Sequence, residues 1–341
     1  HRRHQVGVDG AAGLDPHERG RYPAGTGSDP PEPLDPGGAV GAHRYGEPMG
    51  NLEWVDGPPD GSRRRSIDRT GPVLIAAFEG WNDAGDAATS AVEHLWEHWG
   101  ATTVAAIDPE DFYDFTATRP QVRRDPHGRR VLEWPANELG WAEPAGTDGV
   151  VLLRGVEPQL RWRTFCETVL GAARDLDCRW ILTVGALLAD VPHTRPTPVF
   201  GTAEDPTLGS RLGLTASDYE GPTGIVGALH SEATAHGVPT ASLWAAVPAY
   251  APSVPSPRAA LGLVTRTASM LGTDVDTGVL EAAGISYERQ LGQLVSEDEA
   301  TLEYVRLLER RHDAEHLGVD DDSVPNADRL LEEVERFLRD Q

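Results

Sequence analysis

Lysine is absent: all 30 basic residues are arginines, set against 54 aspartates and glutamates in 341 residues. That absence rules out a Schiff-base lysine and the lysine of a P-loop. The formal charge of -24 leaves no basic footprint for phosphate backbones or anionic lipid, so neither nucleic acid nor membrane is an expected partner. Cysteine is scarce as well. Cys166 and Cys178 both sit in segments that read as core, which makes them buried thiols rather than a disulfide and fits a reducing cytoplasm. No uninterrupted apolar window reaches about 18 residues and no apolar segment opens the chain, so a spanning helix and a signal peptide are not expected. A soluble, cytoplasmic protein is the expectation. G-x-S-x-G, G-x-G-x-x-G and the P-loop are all missing, so no standard motif names a reaction.

What is present is organised around Gly71 to Asp86, GPVLIAAFEGWNDAGD. The short apolar run Pro72 to Phe78, bounded by Gly and Pro, reads as a strand buried on both faces. Glu79, Asp83 and Asp86 then crowd a turn leading into a helix from about Ala84 to Trp99. Their position near a strand's C-terminal end is where open α/β sheets bind ligands.

Residues 1–68 are irregular in Gly, Pro, Asp and Arg and read as a disordered leader that buries too little apolar surface to offset chain entropy. The chain opens at His1, and NLEWVDG after Met49 is the first plausible approach to a core; a tag remnant or an over-long gene model would account for such a leader. Residues 69–257 alternate strand and helix, the mark of an α/β core domain with a sheet covered on both faces. Five core strands are expected, near 72–78, 102–107, 149–154, 180–184 and 240–246, plus a hairpin of 121–124 with 129–134. The Pro-rich segment 189–206 is expected to be a long loop. Residues 258–341 form a C-terminal helical subdomain, with Ser296 and Glu299 as a capping box and an apolar stripe from Leu330 to Leu338 on a final helix.

Each candidate site residue has a bland alternative. Glu79, Asn82, Asp83 and Asp86 offer cation binding, substrate hydrogen bonds or a raised-pKa acid; the alternative is capping of the following helix. His193 and Arg195, in Pro-His-Thr-Arg-Pro after a core strand, offer proton transfer and an anion clamp; the alternative is an ion pair of Arg195 with Glu79 or Asp83. Tyr219, Gly221, Thr223 and Gly224 precede a helix whose free amides are able to accept an anion. H-x-x-E-H occurs at His94 to His98 and at His312 to His316, but both copies read as solvated helix faces, and no metal or cofactor is expected.

Taken together, LIAAFEGWNDAGDAA, LLRGVEP, LLADVPHTRP and YEGPTGIVGAL resemble, in order and spacing, the proteasome assembly chaperone 2 family in its actinobacterial branch. The similarity runs from about Gly71 to the C-terminal helices. It implies a three-layer α/β/α sandwich like that of nucleoside phosphorylases and peptidyl hydrolases, with a C-terminal helical appendage. It also implies a homo-oligomer, often a trimer, and a scaffold or chaperone role with proteasome subunits as partners. Glu79, Asn82, Asp83, Asp86, Glu157, His193, Arg195 and the turn Gly221 to Gly224 carry over as a shared surface. One departure is the ending Leu338-Arg339-Asp340-Gln341, which lacks the hydrophobic residue and Tyr by which proteasome-docking relatives end. A non-catalytic binding protein is therefore the leading expectation. The alternative is a hydrolase or phosphorylase with His193 or one of the acids, Asp83 foremost, as base and Arg195 as clamp.

Overall fold

The computed structural model describes residues 50–57 and 71–316. Its strands, in chain order, are β1 (Leu52–Trp54), β2 (Val73–Glu79), β3 (Thr102–Ile107), β4 (Gln121–Arg124) and β5 (Arg130–Glu133). They continue with β6 (Asn137–Ala142), β7 (Val150–Val156), β8 (Trp180–Ala189), β9 (Val199–Ala203) and β10 (Thr240–Pro248). The helices are α1 (Ala87–His98), α2 (Trp162–Asp175), α3 (Pro206–Leu212), α4 (Ile225–Ala235), α5 (Pro257–Leu271), α6 (Gly278–Ser296) and α7 (Glu299–His316).

Side-chain parity in β2 sets the layering. Val73, Ile75 and Ala77 enter one buried cluster, with α1 and α5, while Leu74, Ala76 and Phe78 enter another, with α2 and α4. A strand apolar on both faces belongs mid-sheet, and β2 pairs in parallel with β7 on one side and β8 on the other. The full order is β1-β3-β6-β7-β2-β8-β10-β9; β7, β2, β8 and β10 are mutually parallel, and β6 and β9 flank them antiparallel. The result is the expected three-layer α/β/α sandwich. Leu74, Ile75 and Phe78 are almost wholly buried, each contributing about 1.5–3 kcal/mol, and Phe78 and Phe112 both meet Phe165 edge-on.

Several expectations are corrected. Among the described residues the sheet has eight strands, because β1, β6 and β9 join the five foreseen. Residues 52–54, assigned to the leader, pair with β3; most of the remaining leader lies outside the described residues. The loop after β8 contains β9, held against β10. The hairpin forms as a separate two-stranded sheet, β4 with β5. Residues 84–86 are a single 3-10 turn ahead of α1, because Gly85 and Asp86 take left-handed backbone angles, φ 58° and 50°.

At the other end of the core, α5 forms part of one covering layer, burying Ala259, Ala260, Leu263 and Val264. Beyond it α6 and α7 share a smaller core of Tyr287, Leu291, Val295 and Val305 with Ala251. Asp298, not Ser296, caps α7: its carboxylate accepts from the Thr301 amide at 3.1 Å and from the Thr301 hydroxyl, while Ser296 bonds back to Gln293 O at 2.7 Å. The stripe from Leu330 to Leu338 falls outside the described residues. Both cysteines are unpaired, and burial pushes the Cys166 thiol up to about 12. Among the described residues no helix is long and apolar enough to cross a membrane.

Candidate functional site

The chain leaves β2 at Glu79 and turns on Gly80, whose φ of 138° suits glycine and whose missing side chain makes room for Glu157, 3.0 Å from where a Cβ would stand. Asn82 O then accepts the Ala186 amide at 2.8 Å, pinning the turn to β8. Asp83 faces inward. Its carboxyl accepts the Ala88 amide at 2.7 Å, the Thr89 amide at 3.2 Å and the Thr89 hydroxyl, so it caps α1 across the irregular turn. Burial pushes this carboxyl up to about 6, against the hydrogen bonds of Thr89 and Ala88 that favour its ionised form.

Glu157, just past β7, joins two elements: its carboxylate accepts the Trp81 amide at 3.2 Å and the Ile225 amide at 2.9 Å. The N-terminus of α4, foreseen as an anion site, is thus met by a carboxylate from the protein itself. Gly224 lies against Asn82, whose buried Oδ1 has no hydrogen-bond partner; a Cβ at 224 would collide with it.

These pieces enclose a cavity of about 540 Å³ at the sheet's C-terminal edge. Asn82, Asp83, Asp86, Tyr219, Gly221 and Thr223 of the expected set line it, while Gly224 packs against Asn82 and Glu157 accepts the amide of the lining residue Trp81. Glu79 instead faces a neighbouring cleft of about 370 Å³ with Glu93, Glu138 and Arg154. Burial and then Asp86 raise its carboxyl above the ordinary value. Arg154 ties that cleft together, paired with Glu93 and Glu138 and lying 4.0 Å over the Trp96 ring.

His193 and Arg195 go elsewhere and line neither cavity. The His193 amide and Nδ1 both meet Tyr250 Oη at 2.7 Å, and burial lowers its pKa. Arg195 bonds Asp313 of α7 through Nε and Nη2, each at 2.7 Å, with Glu309 at 3.6 Å. The structural ion pair foreseen for Arg195 exists, but with α7 in place of the acidic turn, because the loop after β8 folds over the C-terminal helices. The convergence that the hydrolase or phosphorylase alternative requires is not formed.

One cavity feature had escaped the sequence reading. On β8 and β10 the paired residues Thr183 and Ser242 are hydrogen-bonded at 2.7 Å, and Ser242 meets His230 Nδ1 of α4 at 2.9 Å. The only signal was two hydroxyls at positions of strand parity otherwise filled by apolar side chains. Burial lowers the His230 pKa. The first H-x-x-E-H copy serves the fold, since His94 Nε2 contacts Asp276 O at 2.8 Å and His98 Nε2 accepts the Asp276 amide at 3.1 Å. Together they fasten α1 to the turn before α6. The second copy ends α7, partly outside the described side chains.

Known proteins share this architecture. Residues 77–295 match the family model described as PAC2 family. A PAC2 family protein from Streptomyces avermitilis is 44% identical over 69% of this chain and 99% of its own, with a TM-score of 0.64. A proteasome-assembly chaperone homologue from Mycobacterium tuberculosis is 43% identical over 68% of this chain and 99% of its own, TM-score 0.62. An archaeal proteasome activator from Pyrococcus furiosus, 18% identical, shares the fold at a TM-score of 0.54 over 67% of this chain and 94% of its own. No curated protein matches the chain. With the family model spanning well over half of the sequence and two solved structures above 40% identity, this chain belongs to the PAC2 family.

Proposed function

We propose that the chain is a non-catalytic, assembly-chaperone-like binding protein that offers its strand-end cavity to a partner and self-associates through helical faces. The observation that carries this reading is how the site's charged groups are employed. Asp83 caps α1, Glu157 joins the β2 turn to α4, and Arg195 is held by α7. These groups are engaged in holding elements of the fold together instead of converging as acid, base and clamp. A cavity of about 540 Å³ remains, within the size range of ligand and anchor pockets.

Proteasome subunits are the proposed partners, on the strength of the relative from Mycobacterium tuberculosis described as a proteasome-assembly chaperone homologue. Self-association is supported by Val279, Ile285, Leu294 and Leu307, exposed apolar residues on α6 and α7 of a kind that another copy would cover. A trimer in the cytoplasm is the proposed state. Affinity purification from a host that contains a proteasome, with light scattering of the purified chain, tests both parts. Co-purified proteasome subunits and a trimer mass support the reading; recovery of no proteasome subunit removes the partner, and a monomer mass removes the self-association.

A further inference from the structure

Among the described residues, the walls of the strand-end cavity are rich in rings and acceptors and carry no fixed cation. Trp81, Phe200, Tyr219 and Trp244 line it, together with Asp86 and Glu204, whose residues are exposed. Among the described residues no arginine lines it, and the chain has no lysine at all. His230, the one imidazole of the lining among the described residues, is already engaged by Ser242 at 2.9 Å, and burial lowers its pKa, which favours the neutral form. Asp83, the third carboxylate of the lining, is turned onto α1. Glu204 accepts a 3.3 Å bond from the Ser217 amide, which leaves a carboxylate with unused acceptor capacity.

Two physical effects act in the same direction in such a space. Aromatic faces attract cations through their quadrupoles, and a cleft lined by one sign of charge focuses the field of a chain whose formal charge is -24. An anionic ligand would meet carboxylates with no guanidinium to neutralise it. A neutral ligand would gain nothing from either effect.

We propose that this cavity binds a cationic nitrogen group, the guanidinium or ammonium of a basic side chain or small organic amine, against its aromatic rings and the Asp86 and Glu204 carboxylates. The assignment rests on the reading of the cavity as the binding site and adds the chemistry of what enters it. Because the chain lacks lysine, an ammonium-bearing side chain would come from another protein.

Isothermal titration of the full chain with N-acetyl-argininamide and N-acetyl-lysinamide tests this. N-acetyl-citrullinamide serves as the uncharged counterpart of the arginine probe, and inorganic phosphate as the anion. The cationic probes are expected to bind about tenfold or more tighter than citrulline, to weaken with added salt, and to lose about tenfold in both Glu204→Gln and Trp81→Ala. Both substitutions fall at exposed positions, and circular dichroism verifies that the variants fold. Comparing the peptide Ala-Arg-Ala with agmatine separates the sources: tighter peptide binding points to a protein side chain, and tighter agmatine binding to a free amine.

Phosphate or citrulline binding as tightly as the cations, cation binding unchanged in both variants, or no cation binding at all would overturn the proposal. A photocrosslinker at position 231, an exposed position of the cavity lining on α4 outside the proposed cation contacts, distinguishes this failure from failure of the functional reading. Cross-links to a protein partner without cation binding leave the cavity as a docking site with different chemistry, whereas neither result leaves both readings refuted.

Discussion

Arg195 and Asp313 meet as a two-pronged ion pair, Nε to Oδ1 and Nη2 to Oδ2 both at 2.7 Å, across 118 positions of chain. The pair fixes the loop after β8 to α7, and its half-exposed setting decides its strength. Arg195→Ala is expected to cost under about 1 kcal/mol of global stability while speeding amide exchange along α7. High salt should produce much of the same local effect in the unaltered protein. A loss of several kcal/mol in urea unfolding would show that the loop and α7 belong to the cooperative core.

Asp83 gives a pH dependence whose sign is fixed by burial. Its carboxyl lies at about 6 in the folded chain, against an ordinary 3.8, so the folded state binds the extra proton between those values. The corresponding stability is fully present below pH 3.8 and is lost as pH rises through 6. Urea unfolding of the wild type and Asp83→Asn should therefore diverge. The wild type gains on the variant from pH 7 to pH 4 by up to roughly 3 kcal/mol. A constant difference would mean that the amide and hydroxyl hydrogen bonds balance burial, and one of opposite sign that they outweigh it.

Truncating Glu157 tests the joint between the turn and α4. Glu157→Ala strips the Ile225 and Trp81 amides of their acceptor and is expected to cost about 1–3 kcal/mol, with faster exchange confined to those two elements. Gly224→Ala attacks the same joint from the other side, forcing a Cβ onto Asn82 at a cost of about 1–3 kcal/mol. Thermal melts of both variants indistinguishable from wild type would show that the joint carries no load.

His193 behaves in the opposite sense to Asp83. Burial lowers its pKa below 6.5, although Glu288 and Glu309 oppose the shift and Arg258 reinforces it. The unfolded chain then binds the proton first, so this contribution is full above about pH 6.5 and is lost as pH falls through the lowered value. Relative to His193→Gln, the wild type should lose stability on acidification from pH 7 to pH 5 in chemical unfolding. Equal acid sensitivity in the two proteins would contradict a buried neutral imidazole.

The layered core was legible because β2, β7, β8 and β10 carry continuous apolar runs, the pattern of strands covered on both faces. Strands β6 and β9 escaped for local reasons. Asn137, Glu138 and Gly140 in β6 read as turn residues, yet Gly140 is the place where the Trp96 ring packs, and Gly201 in β9 similarly accommodates Leu243. Sequence reading marked the acidic turn and the segment before α4, and these do share one cavity. It also placed His193 and Arg195 on the same sheet edge as the acidic turn, because strand order alone does not reveal that the loop carrying them is bonded to α7. Thr183, Ser242 and His230 were invisible as a group, since pairing of β8 with β10 and packing of α4 bring them together across 59 and 12 positions.

The account depends most on the strand-end cavity being a docking site. Its most direct test is a photocrosslinking amino acid at position 231, exposed on the cavity wall, in a host that contains a proteasome, followed by mass spectrometry of the adducts. The account predicts adducts to proteasome subunits that disappear when the crosslinker is moved to exposed Glu97 on α1, away from the cavity lining. Absence of any proteasome adduct at position 231, or equal labelling from position 97, would contradict it.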